Sequence, residues 1–323
     1  MLRPVASAIL MGMIALGAAV PDAAAQDYPA KPIRLIVPFA AGGSADILGR
    51  VFAQRAALGQ PIVVEDVPGA TGAIGLTRAA KSAPDGYTLS TGATSTFVIS
   101  PHINTKLSYD PIKDFVPVAI LGMITSVLVV NGNVPVNSVS ELVTLAKANP
   151  GKLNYASLGT GSSHHLHGEQ LRRAADIDIV HVPYKGSPQA LTALLAGEVQ
   201  LFFFPAFVDA ISHLQSGRLR ALAVADSRRS PAAPDVPTLS ELGYPIEAPT
   251  WHILVAPAGT PSAIVQRLAA EAERVTSLEE VKQILAKQGV EPRIMAPDAL
   301  RKYVIEQFAS YGRIIREIGI KTN

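Results

Sequence analysis

A strand that runs into a glycine-rich turn and a new helix occurs twice in this chain. Residues 37–50 read VPFAAGGSADILGR, and residues 155–171 read YASLGTGSSHHLHGEQL. The glycines let a ligand approach the backbone closely, and the following helix directs its free N–H groups and its positive dipole end into the same space. The repeated pattern predicts two anion-binding turns in an α/β fold. A tight strand–helix turn that binds nothing is the alternative for each of them.

Hydrophobic spacing predicts that strands and helices alternate along most of the chain. Helical spacing over 44–57 follows the run 33–39, which is apolar except for Arg34, and a glycine-rich turn and helix over 69–80 follow the next strand. The expected strands are 33–39, 61–65, 87–91, 127–130, 153–156, 179–182, 199–204, 219–224 and 252–256. Two such series predict two doubly wound sheets, because parallel strands need crossover helices between them.

The last helices indicate how the two series form lobes. The three helices expected after residue 260 have only one preceding strand, so we assign them to the first series. The first lobe then comprises residues 26–125 and 249–323, and the second lobe comprises residues 126–248. The chain crosses between the lobes twice in this scheme, which makes a hinge. The cleft between two α/β lobes is a common ligand site.

The N-terminal residues have the pattern of a cleavable signal peptide. Arg3 gives a positive start, residues 5–20 are apolar, and Ala23–Ala25 form a small-residue cleavage site. The apolar run is shorter than the roughly 20 residues of a membrane span, although an uncleaved anchor is the alternative. We predict that residues 1–25 are removed by cleavage after Ala25 and that the protein is periplasmic. The sequence contains no cysteine, so we expect an exported fold held by core burial alone.

The charge of the chain excludes several classes of partner. With 28 Lys and Arg against 26 Asp and Glu, the net charge is +2, which argues against nucleic acid and against a basic membrane-docking face. Residues 115–140 contain no charged side chain, so a second membrane helix is one interpretation. Pro117, Gly122 and Asn131 interrupt this stretch, and we expect two buried strands joined by a bend instead.

The residues of the two turns favour a carboxylate over a nucleotide. The chain has no Gly-Lys-Ser/Thr phosphate-binding loop, and Gly159-x-Gly161 lacks the third glycine of a dinucleotide fingerprint. Hydroxyl groups beside the glycines suit a carboxylate, which needs hydrogen-bond donors. They belong to Ser44, Thr160, Ser162 and Ser163.

Three histidines at the second turn raise the question of a metal or of catalysis. On a helix that begins near residue 163, His164 and His167 share a face and His165 does not, and the chain has neither HExxH spacing nor cysteine. We expect no metal and no cofactor, with one histidine lining the cleft and the others capping or packing. The chain lacks a Gly-x-Ser-x-Gly motif. A cleft hydrolase or isomerase that uses Asp46 and one of these histidines remains an alternative.

Short motifs that extend over essentially the whole of residues 26–323 form a specific set when they are taken together. They include Ile36-Val37-Pro38-Phe39 with Gly42-Gly43 and Asp46, Pro84-Asp85-Gly86-Tyr87-Thr88-Leu89, Tyr109-Asp110-Pro111, Gly159-Thr160-Gly161-Ser162-Ser163-His164, His181-Val182-Pro183-Tyr184-Lys185-Gly186, and Ala256-Pro257 with Gly259-Thr260-Pro261. This set resembles the Bug-type receptors of tripartite tricarboxylate transporters.

The resemblance implies a non-enzymatic periplasmic solute-binding protein with the two-lobed, flytrap fold of the type II binding proteins. It implies ligands among small organic anions, such as di- or tricarboxylates, amino acids or aromatic acids. The implied partner is the membrane permease of a tripartite tricarboxylate transporter. A receptor that signals to a sensor kinase is the alternative. We expect a monomer.

The expected ligand contacts lie on the two turns and beside them. They are Phe39, Ala41, Gly42, Gly43, Ser44 and Asp46 in the first lobe, Gly159, Thr160, Gly161, Ser162, Ser163 and His164 in the second, and Ser95, Tyr184 and Phe204 nearby. Two positions near the expected cleft depart from the family pattern, since Phe97 stands where a histidine is common and Pro205 stands where an aspartate is common. We therefore expect a less polar distal pocket and weaker selection for amino acids, whose ammonium group needs a partner.

Overall fold

The structure of the chain is a computed structural model. It describes residues 28–319 apart from 105, 206, 227, 231–232, 247–248 and 288. The predicted signal peptide, residues 1–25, lies outside the described residues. In the part of the chain that is described, no helix is both long enough and apolar enough to span a membrane.

The first part of the chain alternates strands and helices, as the spacing predicts. Its elements are β1 (Ile33–Val37), α1 (Ser44–Arg55), β2 (Ile62–Asp66), α2 (Ala73–Ala80), β3 (Thr88–Ala93), α3 (Ser100–Ile103) and β4 (Phe115–Ile124). A π-helical turn, Ser95–Ile99, leads from β3 into α3. β1 pairs in parallel with β2 and with β3. Its side chains Ile33, Leu35 and Ile36 are fully buried, as a strand covered on both faces requires.

The second part repeats this alternation, and the chain then ends mostly in helices. The second series consists of β5 (Ser126–Asn131), α4 (Val139–Ala148), β6 (Leu153–Ser157), α5 (Ser163–Ala174), β7 (Ile179–Pro183), α6 (Ser187–Ala196), β8 (Leu201–Pro205), α7 (Phe207–Gln215) and β9 (Leu219–Val224). The last elements are β10 (Thr250–Pro257), α8 (Ser262–Ser277), α9 (Glu279–Lys287), β11 (Val290–Glu291) and α10 (Pro297–Ile318).

The strands form two separate mixed sheets, one in each lobe. The order is β11-β4-β10-β3-β1-β2 in the first sheet and β7-β6-β8-β5-β9 in the second. β10 is antiparallel to β3 and β4, and β5 is antiparallel to β8 and β9. The chain thus leaves the first sheet after β4 and returns to it with β10. The lobe boundaries near 125 and 248 stay a prediction.

Helices cover both faces of the first sheet, and the lobes touch on one of these faces. α1, α8 and α9 pack on one face around Phe52 and Leu268, and α2, α3 and α10 pack on the other. Leu166 of α5 is buried in this second cluster, and α5 contacts α10. An element of the second lobe therefore shares core with the first lobe.

The long uncharged stretch forms two buried strands, which confirms the prediction, but Pro117 and Gly122 do not interrupt the first of them. β4 continues through Pro117 and Gly122, and the chain passes into β5 at Thr125. In the described chain β11 pairs with β4 only near its end, at Ile124 and its neighbour, so β4 is an edge strand at Pro117 and the missing N–H costs no ladder bond there. A Cβ at Gly122 would collide with Val290 of β11, so glycine permits this close approach.

Candidate functional site

The first glycine-rich turn connects β1 to α1 at the carboxyl end of β1. Gly42 has φ 83°, and its N–H donates to Asp46 Oδ2 at 2.8 Å. The first helical hydrogen bond of α1 is accepted by Gly43 O, so the N–H groups of residues 44–46 have no partner within the helix. The preceding residues, from Ala41 on, are exposed. The turn therefore offers free N–H groups at a helix N-terminus.

Asp46 supports this turn from inside. Its side chain is 5% exposed, and its Oδ1 lies 2.5 Å from Arg50 Nε. Arg50 also binds Asp66 Oδ2 at 2.6 Å. Burial and the nearby Asp46 carboxylate raise the pKa of Asp66. Because Gly42 and Arg50 already occupy both oxygens of Asp46, its first role is to hold the turn, and a direct ligand contact stays a prediction.

Ser44 has a partner that the sequence reasoning missed. Its Oγ lies 2.9 Å from Nε2 of His252, which is at the start of β10 and is 6% exposed. β10 pairs beside β3, and His252 lies opposite Ala93. Burial lowers the pKa of His252 to about 4, so the ring is neutral at neutral pH. No motif could have indicated this pair, because it depends on the order of the strands.

Phe39 and Ser95 lie on neighbouring segments at this end of the sheet, whereas Phe97 lies in the core. Gly72 is close enough to Phe39 and to Thr96 that a Cβ there would be 3.4 Å from the Phe39 ring and 2.8 Å from the Thr96 methyl. Ser95, half-buried, opens the π-helical turn. Phe97 is fully buried, with its ring 5.5 Å from that of Phe115. The expectation that Phe97 shapes the cleft was wrong, because the turn directs it into the core.

The second glycine-rich turn connects β6 to α5. Gly159 and Gly161 have φ values of 107° and 80°, which only glycine adopts without strain. Ser162 caps α5 by accepting a hydrogen bond from His165 N–H at 3.3 Å. Thr160 is exposed, while Ser163 is buried. This turn has the same chemistry as the first, with free N–H groups and hydroxyls at a helix N-terminus.

The second turn lies directly against the first lobe. A Cβ on Gly161 would collide with Ile103 Cδ1 at the end of α3. The segment from Ser95 to Ile103 thus connects the end of β3, near Phe39, to the second turn. The structure therefore brings the second turn and the Ser95 segment together across the gap between the lobes.

The histidines of α5 have different environments. His164 is 6% exposed, packs 5.7 Å from the Phe202 ring, and has no hydrogen-bond partner at either ring nitrogen. Burial lowers the pKa of His164 to about 3. His167 packs against Phe203 on the other side. Among the described residues, no group of three or more His, Asp or Glu side chains could hold a metal ion.

Tyr184 and Phe204 differ in their exposure. The N–H of Tyr184 donates to Ser157 O at 2.9 Å, and its side chain is half-buried. Phe204 is 1% exposed and packs edge-on against Phe202 in the core of the second lobe. The structure places the Phe204 ring among core residues, and its contact with a ligand stays a prediction.

A cavity of about 950 Å³ lies elsewhere, between α5, α10, β11 and the connection from β9 to β10. None of the predicted site residues lines it. Its charged residues are Arg173, Asp226, Arg228, Glu291, Arg293, Arg313 and Glu317. Four cations and three acids leave little net charge, and burial together with Asp226 raises the pKa of Glu291. Arg173 donates to the backbone oxygen of Glu317, which joins α5 to α10. The three acids offset most of the positive charge of the four arginines in this cavity.

Comparison with known proteins gives a consistent result. Residues 50–320 match the family model of the tripartite tricarboxylate transporter family receptor, TctC. Protein BugT of Bordetella pertussis is 39% identical over 305 residues, which are 92% of this chain and 92% of that protein.

Solved structures agree with the fold. Rpa4515 of R. palustris with adipate superposes with a TM-score of 0.82 at 31% identity, covering 91% of this chain and 99% of that one. MatC from Rhodopseudomonas palustris with bound malate gives a TM-score of 0.77 at 34% identity, covering 89% of this chain and 100% of that one. These matches confirm the resemblance found in the sequence and the two-lobed binding-protein fold. The chain belongs to the TctC family, the periplasmic solute-binding receptors of tripartite tricarboxylate transporters.

Proposed function

We propose that this protein captures a small organic dicarboxylate between its lobes and presents it to the permease of a tripartite tricarboxylate transporter. The observation that carries this proposal is the pair of glycine-rich turns, each with free N–H groups at a helix N-terminus, the second of which lies against the first lobe. The ligands of the two related structures, adipate and malate, support the same class of ligand.

In this proposal the first turn neutralises one carboxylate with N–H groups that the fold has already oriented. Asp46 holds Gly42, so the turn loses little conformational freedom when it binds. His252 Nε2 lies 2.9 Å from Ser44 Oγ, and in the neutral tautomer that carries its hydrogen on Nε2 the Ser44 hydrogen is free to donate to the carboxylate. The helix N-terminus adds a favourable electrostatic contribution.

The second turn supplies the other half of the site. The free N–H groups of Ser163 and His164, with the exposed Thr160 hydroxyl, receive the ligand from the opposite lobe. The backbone N–H of Ser162 is less available to the ligand, because it donates to Gly159 O at 3.1 Å. Movement of the lobes about their two connections would then bury the anion between the turns.

The proposed site also favours plain carboxylates over amino acids. An amino-acid ligand needs an acceptor for its ammonium group, and the acid of the first turn, Asp46, is already bound to Arg50 and Gly42. Pro205 stands where an aspartate is common in the family, so β8 supplies no carboxylate there. Phe97 adds nothing to this selectivity, because it lies in the core.

The paired Ser44 and His252 are the observation that favours an enzyme as the second candidate. A serine hydrolase needs a base whose pKa lies near the working pH. Burial lowers the pKa of His252 to about 4, so it is a weak base. Asp46 is bound to Arg50 and not to a histidine. The geometry therefore supports binding better than turnover.

Thermal unfolding of residues 26–323 in the presence of individual acids tests the proposed function. We expect adipate, malate or a related dicarboxylate to raise the melting temperature by several degrees, because a ligand at a hundredfold its Kd adds about 2.7 kcal/mol to the free energy of unfolding. Glutamate and aspartate should give smaller shifts. The control is protein refolded from denaturant, which removes any ligand carried through purification.

The absence of a shift with every acid in refolded protein would contradict the proposal. Consumption of the acid, followed by NMR of the same samples, would favour the enzyme instead.

A further inference from the structure

The rings of His165 and His181 support the second glycine-rich turn. The N–H of Gly161 donates to Nδ1 of His165 at 3.2 Å. Ser157 Oγ accepts from Gly159 N–H at 3.1 Å and lies 2.5 Å from Nε2 of His181. The His165 and His181 rings stack with centroids 3.9 Å apart and planes at 15°. Both glycines of the turn are thus tied to one stacked pair of imidazoles.

The hydrogen bond from Gly161 fixes the protonation state of His165. A backbone N–H can only donate, so Nδ1 must carry its lone pair and the ring must be neutral, with its hydrogen on Nε2. A proton on Nδ1 would place two hydrogen-bond donors opposite each other, and the hydrogen bond from Gly161 would be lost. A second positive ring at the stacking distance would repel the first. The observed turn therefore requires that His165 is neutral, and the stacking disfavours a charge on both rings together.

Several titratable groups face this pair. Tyr155 of β6 packs against both rings, and its hydroxyl donates to Glu169 of α5 at 2.7 Å. Glu169 is also bound to Arg172 at 2.8 Å, which offsets its charge. Burial lowers the pKa of both rings, that of His181 to about 4 with a contribution from His165, and Glu169 acts in the opposite direction on both.

We propose that His165 and His181 are positioning residues, which hold the second turn in its ligand-ready shape while they are neutral and release it when they are protonated. This inference rests on the proposed function and adds a regulation by pH to the same site. Acid would weaken ligand binding without any change in the groups that touch the ligand.

The direction of the pH effect follows from the difference in proton affinity. In the released turn the rings regain a pKa near the ordinary 6.5, whereas in the held turn it is lower. The released turn therefore binds protons more tightly. Lowering the pH below about 6.5 shifts the equilibrium towards it, and binding is lost as the pH falls through the pKa of the held state. Between about 6.5 and the pKa of the held state, the apparent Kd should rise by up to about tenfold per pH unit for each ring that gains a proton, and it should level off below the pKa of the held state.

NMR of the ligand-free protein between about pH 7.5 and 4 tests the hydrogen bond directly. The amide signal of Gly161 should move with pH in the wild type and lose its protection from exchange in acid. In His165→Asn the side-chain oxygen can accept the same N–H but cannot be protonated in this range, so the signal should stay constant. His213→Asn on α7 is the matched control, and its Gly161 amide signal should move with pH as it does in the wild type. A Gly161 signal that is flat in the wild type, or that moves equally in His165→Asn, would overturn the inference.

Titration calorimetry with adipate and malate at the same pH values gives the functional result. The ratio of the wild-type Kd to that of His165→Asn removes the titration of the ligand itself, and it should rise in acid. If His165→Asn does not fold, His181→Gln, which keeps an amide group near the position of Nε2, replaces it, with the Gly159 amide as the probe. Binding with a flat Gly161 signal would contradict the inference and support the proposed function. A Gly161 signal that moves with pH in a protein that binds no acid at any pH would support the inference and contradict the proposed function.

Discussion

Gly161→Ala is expected to bind its dicarboxylate about a hundredfold more weakly than the wild type, while it still folds. Gly161 has φ 80°, and a left-handed conformation costs a non-glycine residue roughly 1–2 kcal/mol. A Cβ there would also collide with Ile103 of α3, and forced overpacking costs typically about 1–3 kcal/mol. The turn can escape both costs only by moving, and a loss of about 2.7 kcal/mol in binding is a factor of about a hundred. Titration calorimetry measures it.

Gly197→Ala is the matched control for this prediction. Gly197 ends α6 with nearly the same φ, 81°, and a Cβ there would meet nothing within 4 Å. Both variants should lose stability from the backbone, but only Gly161→Ala should lose affinity. Wild-type affinity in Gly161→Ala would contradict the position of the second turn in the site. Equal losses of affinity in the two variants would assign the effect to general destabilisation.

Asp46→Ala is expected to lower both stability and affinity. The change leaves the N–H of Gly42 without its acceptor, which costs about 1 kcal/mol, and removes an ion pair with the half-exposed Arg50. Arg50 keeps Asp66 as a partner, and the repulsion between the two acids is relieved. We therefore expect a loss of about 1–3 kcal/mol in the free energy of unfolding. A loss of about tenfold in affinity should accompany it, because the first turn is no longer held.

Asp46→Asn distinguishes a carboxylate that supports the turn from one that acts as a catalytic group or binds a ligand cation. Its side-chain oxygen can still accept from Gly42 N–H, so most of the affinity should remain. A carboxylate that acted as a catalytic group, or that bound a ligand cation, would be replaced poorly by an amide. Equal loss of affinity in Asp46→Asn and Asp46→Ala would therefore contradict the supporting role. Urea unfolding and calorimetry on the same samples separate the two effects.

The sequence predicted the strands, helices and glycine-rich turns of this fold well. β1 is apolar except for Arg34 and α1 has helical spacing, and both form where the pattern indicates. Positive φ values at Gly42, Gly159 and Gly161 confirm that these turns need glycine. Such features depend on residues close together in the chain, where propensity and periodicity carry the information.

Features that depend on strand order or on neighbouring strands could not be read in the same way. His252 reaches Ser44 only because β10 inserts beside β3. Pro117 stays within β4 because β11 is too short to pair beside it. Phe97 enters the core because the turn after β3 is π-helical, which no spacing rule indicated. The roles of His252 and Pro117 thus follow from neighbours that are distant in sequence.

The measurement that tests the central claim most directly is a crystal structure of residues 26–323 with the dicarboxylate that stabilises the protein most. We expect one ligand carboxylate within about 3 Å of the N–H groups that begin α1, near Ser44, and contacts from the turn that begins α5, near Ser163. A ligand bound instead in the cavity lined by Arg228, Arg293 and Arg313, with both glycine-rich turns free of it, would contradict the proposed site.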